Sequence, residues 1–347
     1  MVVEKEKTLI DFIRLVSPGT SLRTVIDDVV RSGLGAMIVF DTDELQRQNM
    51  IEGGFRINSR FTSQKLFELC KMDGAVILSP DLKRILHANV LMNPDNTLHS
   101  IETGMRHKSA ERTAKQAHTF VVAVSERRKK TTLYYGSSRY YLKTTGELLR
   151  NINSTLQILE KQKEILVEHV NSLNILEMSE LVSISDICKV IQRVEMVLKI
   201  SESIKRNFTE IGKEGNIMYM RYRELLRGVD KIKSEILRDY ANLSLKKSKT
   251  LLSNLTFEGL LDIESISRLI FEKPLEESIS PRGFRFLLHL TLSIKEVSQM
   301  VKTYNNLENI LKLDSSDLEL ILKNRANIIY EEIRNLREQI LSGKVIY

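Results

Sequence analysis

Two short strings, a few dozen residues apart, contain the side chains best suited to chemistry in this sequence. The strings are Asp73-Gly74-Ala75 and Arg106-His107-Lys108. The first offers a carboxylate on a turn whose small residues allow close approach of the backbone. The second offers three basic side chains next to a predicted helix start. A carboxylate that can hold a metal, combined with cations and a helix N-terminus, is suited to a nucleoside triphosphate.

Each string also has a simpler interpretation. A lone Asp-Gly pair is usually a turn, and a basic tripeptide is usually a charged loop. The position of the basic string, between Gly104 and a predicted helix from Ser109 to Ala117, favours an anion site. We expect Ser109 to cap that helix and to leave its free amides facing the anion.

Alternating strand and helix patterns predict the fold that holds these strings. Apolar runs at residues 33–40, 75–78 and 119–124 predict buried strands. Helix-period segments lie between and before them, at residues 9–16, 21–32, 63–72 and 109–117. The pattern predicts an α+β domain over residues 1–140, in which a mixed sheet is flanked by helices.

From about Tyr141 the pattern becomes entirely helical. Apolar residues recur at threes, fours and sevens, for example at Ile152, Leu156 and Leu159. The narrow apolar stripe fits a coiled spacer or oligomerisation element, and it fits the core of a plain helical bundle equally well. We predict an all-α linker domain over residues 141–279 and an all-α C-terminal domain over residues 280–347.

Composition limits the class of protein. The 347 residues carry a formal charge of +7, which is compatible with a polyanionic partner and also with an ordinary basic protein. Cys70 and Cys188 lie far apart in apolar surroundings, so they are expected to be buried thiols. The start of the chain lacks the apolar segment of a signal peptide, and no apolar stretch is long enough to cross a bilayer. A cytoplasmic protein without a membrane span is expected.

The two strings and their surroundings resemble a known family. The matching text is Lys71-Met72-Asp73-Gly74-Ala75, the string His-Ala-Asn-Val at 87–90, the run Glu-Thr-Gly-Met-Arg-His-Lys-Ser-Ala-Glu-Arg at 102–112, and Val-Ser-Glu-Arg-Arg at 124–128. These residues are similar to the diadenylate cyclase domain, and the wider match is to the DNA integrity scanning protein family. Stretches at 192–197, 210–215 and 238–240 extend the resemblance into the helical part.

The resemblance implies an enzyme that condenses two ATP molecules into cyclic di-AMP and releases two pyrophosphates. It implies that Asp73 holds Mg²⁺ or Mn²⁺ and that Arg106, His107 and Lys108 act with it as catalytic residues on the phosphates. The further ATP contacts that it implies are Gly74, Ala75, Leu91, Met105, Ser109 and Ser125. Leu91 or Met92 would pack on the adenine, although either could equally be core, and Ser125 could be a simple polar residue at a strand end.

The resemblance also implies an assembly. A symmetric product needs two facing sites, and the family forms an octamer from two tetrameric rings. Three residues differ from the usual family text: Met105 replaces Thr, Lys108 replaces Arg, and Ser109 replaces Thr. We therefore expect an active cyclase that is slower than one with the usual residues.

Residues 280–285 resemble the start of a helix-hairpin-helix DNA-binding domain. The expected hairpin, at residues 320–326, lacks the glycines that let backbone amides approach a phosphate. Binding to DNA, including branched DNA, is therefore expected to be weakened. Lys323 and Arg325 could still contact DNA, or they could simply be solvated charges. The alternative function is a DNA-binding scaffold whose N-terminal domain only senses ATP.

Overall fold

A computed structural model describes residues 9–343. The string used to exclude a signal peptide, residues 1–7, lies outside the described residues, as do the last four residues of the predicted third domain. The chain divides into two compact units. The first contains the residues up to Ile152 together with Arg206–Tyr219, and the second contains Asn153–Lys205 and the residues from Met220 onward. The boundaries 1–140, 141–279 and 280–347 stay a prediction.

The first unit is built on one mixed sheet of eight strands. The strands are β1 (Ala36–Phe40), β2 (Ile51–Glu52), β3 (Phe55–Arg60), β4 (Ala75–Leu78), β5 (Arg84–Met92), β6 (Phe120–Ser125), β7 (Lys130–Tyr135) and β8 (Ser138–Leu142). Their order is β2-β5-β4-β1-β6-β7-β8, with β3 also paired to β5. Only β1 and β4 form a parallel pair among these strands. The predicted α+β class is confirmed.

Helices cover both faces of this sheet. The helices are α1 (Leu9–Leu15), α2 (Ser21–Arg31), α3 (Asp43–Arg47), α4 (Ser63–Leu69) and α5 (Met105–Ala117). Alternate residues of β1 enter opposite cores: Ile38 packs with α1, α2 and α4, whereas Val39 packs with α5. Burial on both faces explains why β1 and β4 read as continuous apolar runs.

Strand register brings four strand ends together at one edge of the sheet. In β1, Met37 pairs with Ala75 of the parallel β4, and Ala36 pairs with Val124 of the antiparallel β6. Ala75 also pairs with Val90 near the end of β5. The starts of β1 and β4 therefore lie beside the ends of β5 and β6, and loops at this edge can share one site.

Helix α5 lies close to the sheet because the side chains on its inner face are small. Ala110, Ala114 and Ala117 follow one another at four and three residues, and all three are buried against the sheet. The first turn of α5 is therefore fixed at the edge where the four strand ends meet.

The last strand of the sheet contacts a helical segment of the same unit. The side chain of Tyr140 in β8 donates a hydrogen bond to Glu210, whose carboxylate also accepts from the amide of Lys143 at 3.1 Å. The Ser17 hydroxyl donates to the carbonyl of Thr209 at 3.3 Å. The segment Arg206–Tyr219 is thus bound to the sheet unit by hydrogen bonds.

The rest of the described chain is helical, as predicted. The helices are α6 (Thr145–Met178), α7 (Ile184–Ile211), α8 (Asn216–Leu226), α9 (Val229–Tyr240), α10 (Leu245–Asn254), α11 (Phe257–Leu261), α12 (Ile263–Ile270), α13 (Phe284–Leu287), α14 (Ile294–Tyr304), α15 (Leu307–Leu311), α16 (Ser315–Leu322) and α17 (Ala326–Leu341). None of the helices between residues 9 and 343 is both long and apolar enough to span a bilayer. Cys70 and Cys188 are buried free thiols, as expected, and burial raises the pKa of each to about 12.

The expected hairpin region forms a helix–turn–helix with α16, a 3₁₀ turn at Lys323–Arg325 and α17. Lys323 has a φ of 49°, a left-handed conformation that glycine adopts at lower cost. Arg325 is 45% exposed, and its guanidinium donates to Glu296 at 3.1 Å and to the carbonyl of Thr291. Arg325 therefore has partners within its own unit and is also accessible to solvent.

Candidate active site

A cavity of about 340 Å³ opens at the sheet edge where the strand ends meet. Its lining residues are Met37, Asp73, Gly74, Ala75, Val90, Leu91, Met92, Asn93, Pro94, Asn96, Met105, Arg106, Lys108, Ser109 and Arg112. The volume falls in the range of small-molecule sites. Asp73 and the basic residues Arg106 and Lys108 line the same cavity, so the two strings singled out in the sequence converge.

The turn before β4 presents Asp73 to the cavity. Its carboxylate is exposed, and it forms no hydrogen bond or ion pair with any residue of the described range 9–343. Gly74 explains how the turn fits, since a Cβ there would lie 2.6 Å from the carbonyl carbon of Asn89 and 2.8 Å from the amide nitrogen of Val90. The missing side chain lets β4 start directly against β5.

The prediction that Ser109 caps the following helix is wrong. Helix α5 begins four residues earlier, at Met105, and Gly104 is its N-cap residue without a side-chain hydrogen bond. Glycine is accepted at an N-cap, so the helix can include the basic string in its first turn. Ser109 lies in the second turn, where its hydroxyl donates to the carbonyl of Met92 at 3.3 Å and ties α5 to the end of β5.

The first turn of α5 is unusually positive. A helix N-terminus carries partial positive charge and normally attracts acidic residues, but this turn contains Arg106, His107 and Lys108 and no acid. Within residues 9–343, no carboxylate pairs with Arg106 or Lys108. Free amides, a helix dipole and two unpaired cations at one cavity wall form a site for an anion.

Arg106 owes its position to a glycine. Its guanidinium lies against the backbone of Gly35, just before β1, at the place where a side chain of residue 35 would begin. In the sequence, Gly35 is merely one residue of the run 33–40 that predicts a buried strand. The interaction joins α5 to the central strand at the edge that carries the cavity.

His107 does not line the cavity. Its ring packs edge-on against Tyr134 of β7, with ring centroids 6.4 Å apart and planes at 82°. Burial lowers the pKa of His107, Arg106 and Arg128 lower it further, and Glu102 opposes them. The predicted triplet is thus divided, with two members at the cavity and one directed towards β7.

The remaining predicted contacts differ in their placement. Leu91 and Met105 line the cavity and are 63% and 82% exposed, so both offer apolar surface to a ligand. Met92 also lines the cavity but is buried. Ser125 is not among the lining residues. It ends β6 at the same sheet edge, and its hydroxyl accepts from the amide of Arg128 at 3.2 Å.

Arg112, which was not predicted as a site residue, lines the cavity and also supports its wall. Its guanidinium donates to the carbonyl of Leu98 at 2.8 Å and to both oxygens of Asn96 at 2.7 and 2.8 Å. Arg112 follows Lys108 by four residues and Met105 by seven, which is the spacing of one helix face. The signal was present, but it could be used only with the correct helix start.

The charged groups fit a metal ion held together with a bound anion. Asp73 is the single acidic residue that lines the cavity, and no cluster of three or more His, Cys, Asp or Glu side chains between residues 9 and 343 could hold a metal alone. Mg²⁺ is commonly bound by one or two carboxylates, with phosphate oxygens and water completing its coordination. The donor set suits that arrangement and not a cage made of protein ligands.

Comparisons with known proteins identify the family. The family model described as "DisA bacterial checkpoint controller nucleotide-binding" matches residues 23–139, and the one described as "DisA bacterial checkpoint controller linker region" matches residues 142–274. The DNA integrity scanning protein DisA of Acetivibrio thermocellus is 38% identical over 97% of this chain and 96% of its own length. The protein of the same name from Clostridium kluyveri is 37% identical over 98% of this chain and 99% of its own length. The one from Bacillus pumilus is 38% identical over 96% of this chain and 96% of its own length.

These matches confirm the resemblance inferred from the sequence. They also confirm the enzyme class that it implies, a diadenylate cyclase among the nucleotidyltransferases. The chain belongs to the family of the DNA integrity scanning protein DisA.

Proposed function

We propose that this chain condenses two ATP molecules into cyclic di-AMP and releases two pyrophosphates. The main support is the set of unpaired charges in one cavity. Asp73 faces the cavity from one side, Arg106 and Lys108 face it from α5, and none of the three is neutralised by a residue in the described range. Opposite charges that are left unpaired at a shared cavity suit a ligand that carries both a phosphate chain and a cation.

Each of the two steps is an in-line nucleotidyl transfer. The 3′ oxygen of one ATP attacks the α-phosphorus of the other, the new O3′–P bond forms, and the bond to the β-phosphate oxygen breaks as pyrophosphate leaves. Arg106, Lys108 and the amides of the first turn of α5 would neutralise the charge that grows on the phosphates. Asp73 would help remove the proton of the attacking hydroxyl.

A divalent metal is general among diadenylate cyclases, and we propose Mg²⁺ or Mn²⁺ at Asp73. When bound, the ion would add positive charge beside the phosphates and lower the pKa of a coordinated hydroxyl. Lys108 supplies a point charge in place of the fork of an arginine, so the cation contact on this side of the phosphates is expected to be less directional.

The base and sugar are assigned to the remaining lining residues. We propose that Leu91 packs on the adenine, with Met105 at the same mouth, because both expose apolar surface there. Gly74 and Ala75 are small and would let the nucleotide approach the start of β4. Ser109 and Ser125 are proposed as weaker phosphate contacts, since each hydroxyl already has a hydrogen-bond partner in the chain.

The symmetry of the product requires two sites that face each other. We propose a two-fold contact between sheet units of two copies, each presenting one ATP, within an octamer like that of the family. DNA is a proposed regulator, because the relatives are named for DNA integrity scanning. Its binding is expected to be weak, since Lys323 takes the place of a hairpin glycine and Arg325 is held by Glu296. Salt-dependent binding to branched DNA would measure this activity separately.

The test compares purified parent protein with Asp73→Asn, using ATP and Mn²⁺ and separating the nucleotides by chromatography. We expect cyclic di-AMP from the parent and a loss of at least about a hundredfold in the variant, because the acid that holds the metal and assists the hydroxyl is gone. Asp43→Asn is a matched control, since Asp43 is an exposed acid at the far end of β1.

Two outcomes would contradict the proposal. Unchanged product yield in Asp73→Asn would remove Asp73 from the proposed role. ATP binding by the parent without any product would instead favour the scaffold that only senses ATP.

A further inference from the structure

The loop between β5 and α5, residues 93–104, is fastened mainly by side chains of α5 itself. Besides the contacts of Arg112, Lys115 donates to the carbonyl of His99 at 2.8 Å. Glu111 accepts from the Ser100 hydroxyl at 2.6 Å and from the Ile101 amide at 3.3 Å. The loop wall of the cavity and the helix that carries the cations therefore form one connected structure.

Glu102 connects this structure to the sheet. Its Oε1 atom accepts from the hydroxyl of Tyr134 at 2.9 Å and from Nη1 of Arg139 at 3.0 Å. Tyr134 and Arg139 are directly paired across β7 and β8, so the two donors are held by strand pairing. The carboxylate is only 10% exposed, and two donors to one charged acceptor make a strong link.

Glu102 also affects His107. Tyr134 donates to Glu102 and carries the ring against which the His107 imidazole packs. The charged groups that act on His107 are Glu102 from the loop, Arg106 from its own helix and Arg128 from the turn after β6. Of these, Glu102 alone favours the protonated imidazole, whereas the two arginines and burial oppose it.

We propose that Glu102, fixed by Tyr134 and Arg139, is a positioning residue for the nucleotidyl transfer. It holds the first turn of α5 to the sheet from outside the cavity, and it keeps a negative charge beside His107 so that this imidazole can hold a proton. A protonated His107 does not reach the cavity, but it adds positive charge to the helix turn that carries Arg106 and Lys108. The inference rests on the proposed function for its kinetic part, but the effect on His107 can be measured without turnover.

The experiment uses Glu102→Gln, which keeps the size of the side chain and removes its charge, and Tyr134→Phe, which keeps the ring against His107 and removes one donor. Tyr135→Phe is a matched control, because Tyr135 lies on the same strand and packs into the opposite core. The titration of the His107 imidazole is followed by NMR in histidine-labelled protein, with His107→Gln used to assign the signal. Turnover is measured against pH for every variant.

In Glu102→Gln we expect the His107 titration to move downward by about one pH unit. We expect kcat to fall about tenfold with a smaller change in KM, and the alkaline decline in activity to begin at a lower pH. Tyr134→Phe should change both in the same direction by less, and Tyr135→Phe should change neither. If Glu102→Gln leaves the His107 titration in place, the inference is wrong, even if turnover falls, because the residue is then merely structural. If the titration moves while the parent makes no cyclic di-AMP, the placement of Glu102 stands and the proposed function fails.

Discussion

The guanidinium of Arg106 occupies the space that a side chain at Gly35 would need. A Cβ built on Gly35 would lie 2.8 Å from Cζ of Arg106 and closer still to Nη1. The backbone of Gly35 is not in the left-handed region, so alanine could adopt its conformation. Glycine is therefore required at position 35 because Arg106 fills the space of a side chain, and not because of the backbone conformation.

Gly35→Ala should therefore reduce ligand binding without unfolding the protein. The new methyl group would push away only the far end of a flexible side chain, so the free energy of unfolding should change by less than about 1 kcal/mol. Displacing one charge-assisted contact should weaken ATP binding by about one to two decades. Calorimetric titration with ATP and thermal melting measure the two effects.

Gly74→Ala is the comparison, because its Cβ would meet the backbone of Asn89 and Val90. Backbone cannot give way as a side-chain end can, so this variant should lose about 1–3 kcal/mol of stability. Full ATP affinity and full stability in both variants would contradict the packing described for these two glycines.

The double variant Met105→Thr/Lys108→Arg should be at least as active as the parent. Arginine restores a forked contact to phosphate, and threonine restores a hydroxyl at the cavity wall. Met105 is 82% exposed, so its replacement leaves no hole in the core. Turnover of the two single variants and the double variant with ATP and Mn²⁺ checks this, and a clear drop in the double variant would contradict it.

His289 should make the stability of the helical unit depend on pH. Burial, with Lys231 and Arg285 nearby, lowers its pKa to about 4, below the value of about 6.5 in an unfolded chain. The unfolded state therefore binds the proton more readily, and stability that is present above pH 6.5 is lost as the pH falls towards 4. Partial exposure of His289 limits the loss to about 1–2 kcal/mol.

Urea unfolding followed by circular dichroism between pH 4 and 7 measures this loss. His289→Gln should unfold with a shallower dependence on pH than the parent. His99→Gln, which changes an exposed histidine, should keep the parental dependence. Identical pH curves for the parent and His289→Gln would rule out this role for His289.

The sequence predicted those elements whose signal is local. The strand Ala75–Leu78 and the helices around it follow from apolar runs and helical spacing, and the structure confirms them. Strands β7 and β8 were missed because they carry lysine, threonine, arginine and tyrosine, and their identity depends on pairing with β6. The local pattern of residues does not predict which distant segments pair with each other.

The candidate site was likewise predicted only in part. Resemblance to the family's motifs and the residue types identified Asp73, Arg106 and Lys108, and all three line one cavity. Gly35 could not be found from the sequence because its role is to leave space for Arg106, which is 71 positions away. The helix start was misplaced because serine is a strong N-cap signal, whereas Gly104 caps α5 without any side chain.

The alanine face of α5 limits the size of the side chains that this helix can carry towards the sheet. A larger side chain at Ala114 would lift the helix from the sheet, and a stiff helix would carry that displacement to Arg106, about 12 Å away along its axis. A packing change in the interior would then be measured as a loss of catalysis. The activity that remains after larger side chains are introduced at Ala110, Ala114 and Ala117 therefore measures how accurately the phosphate-binding cations must be aligned.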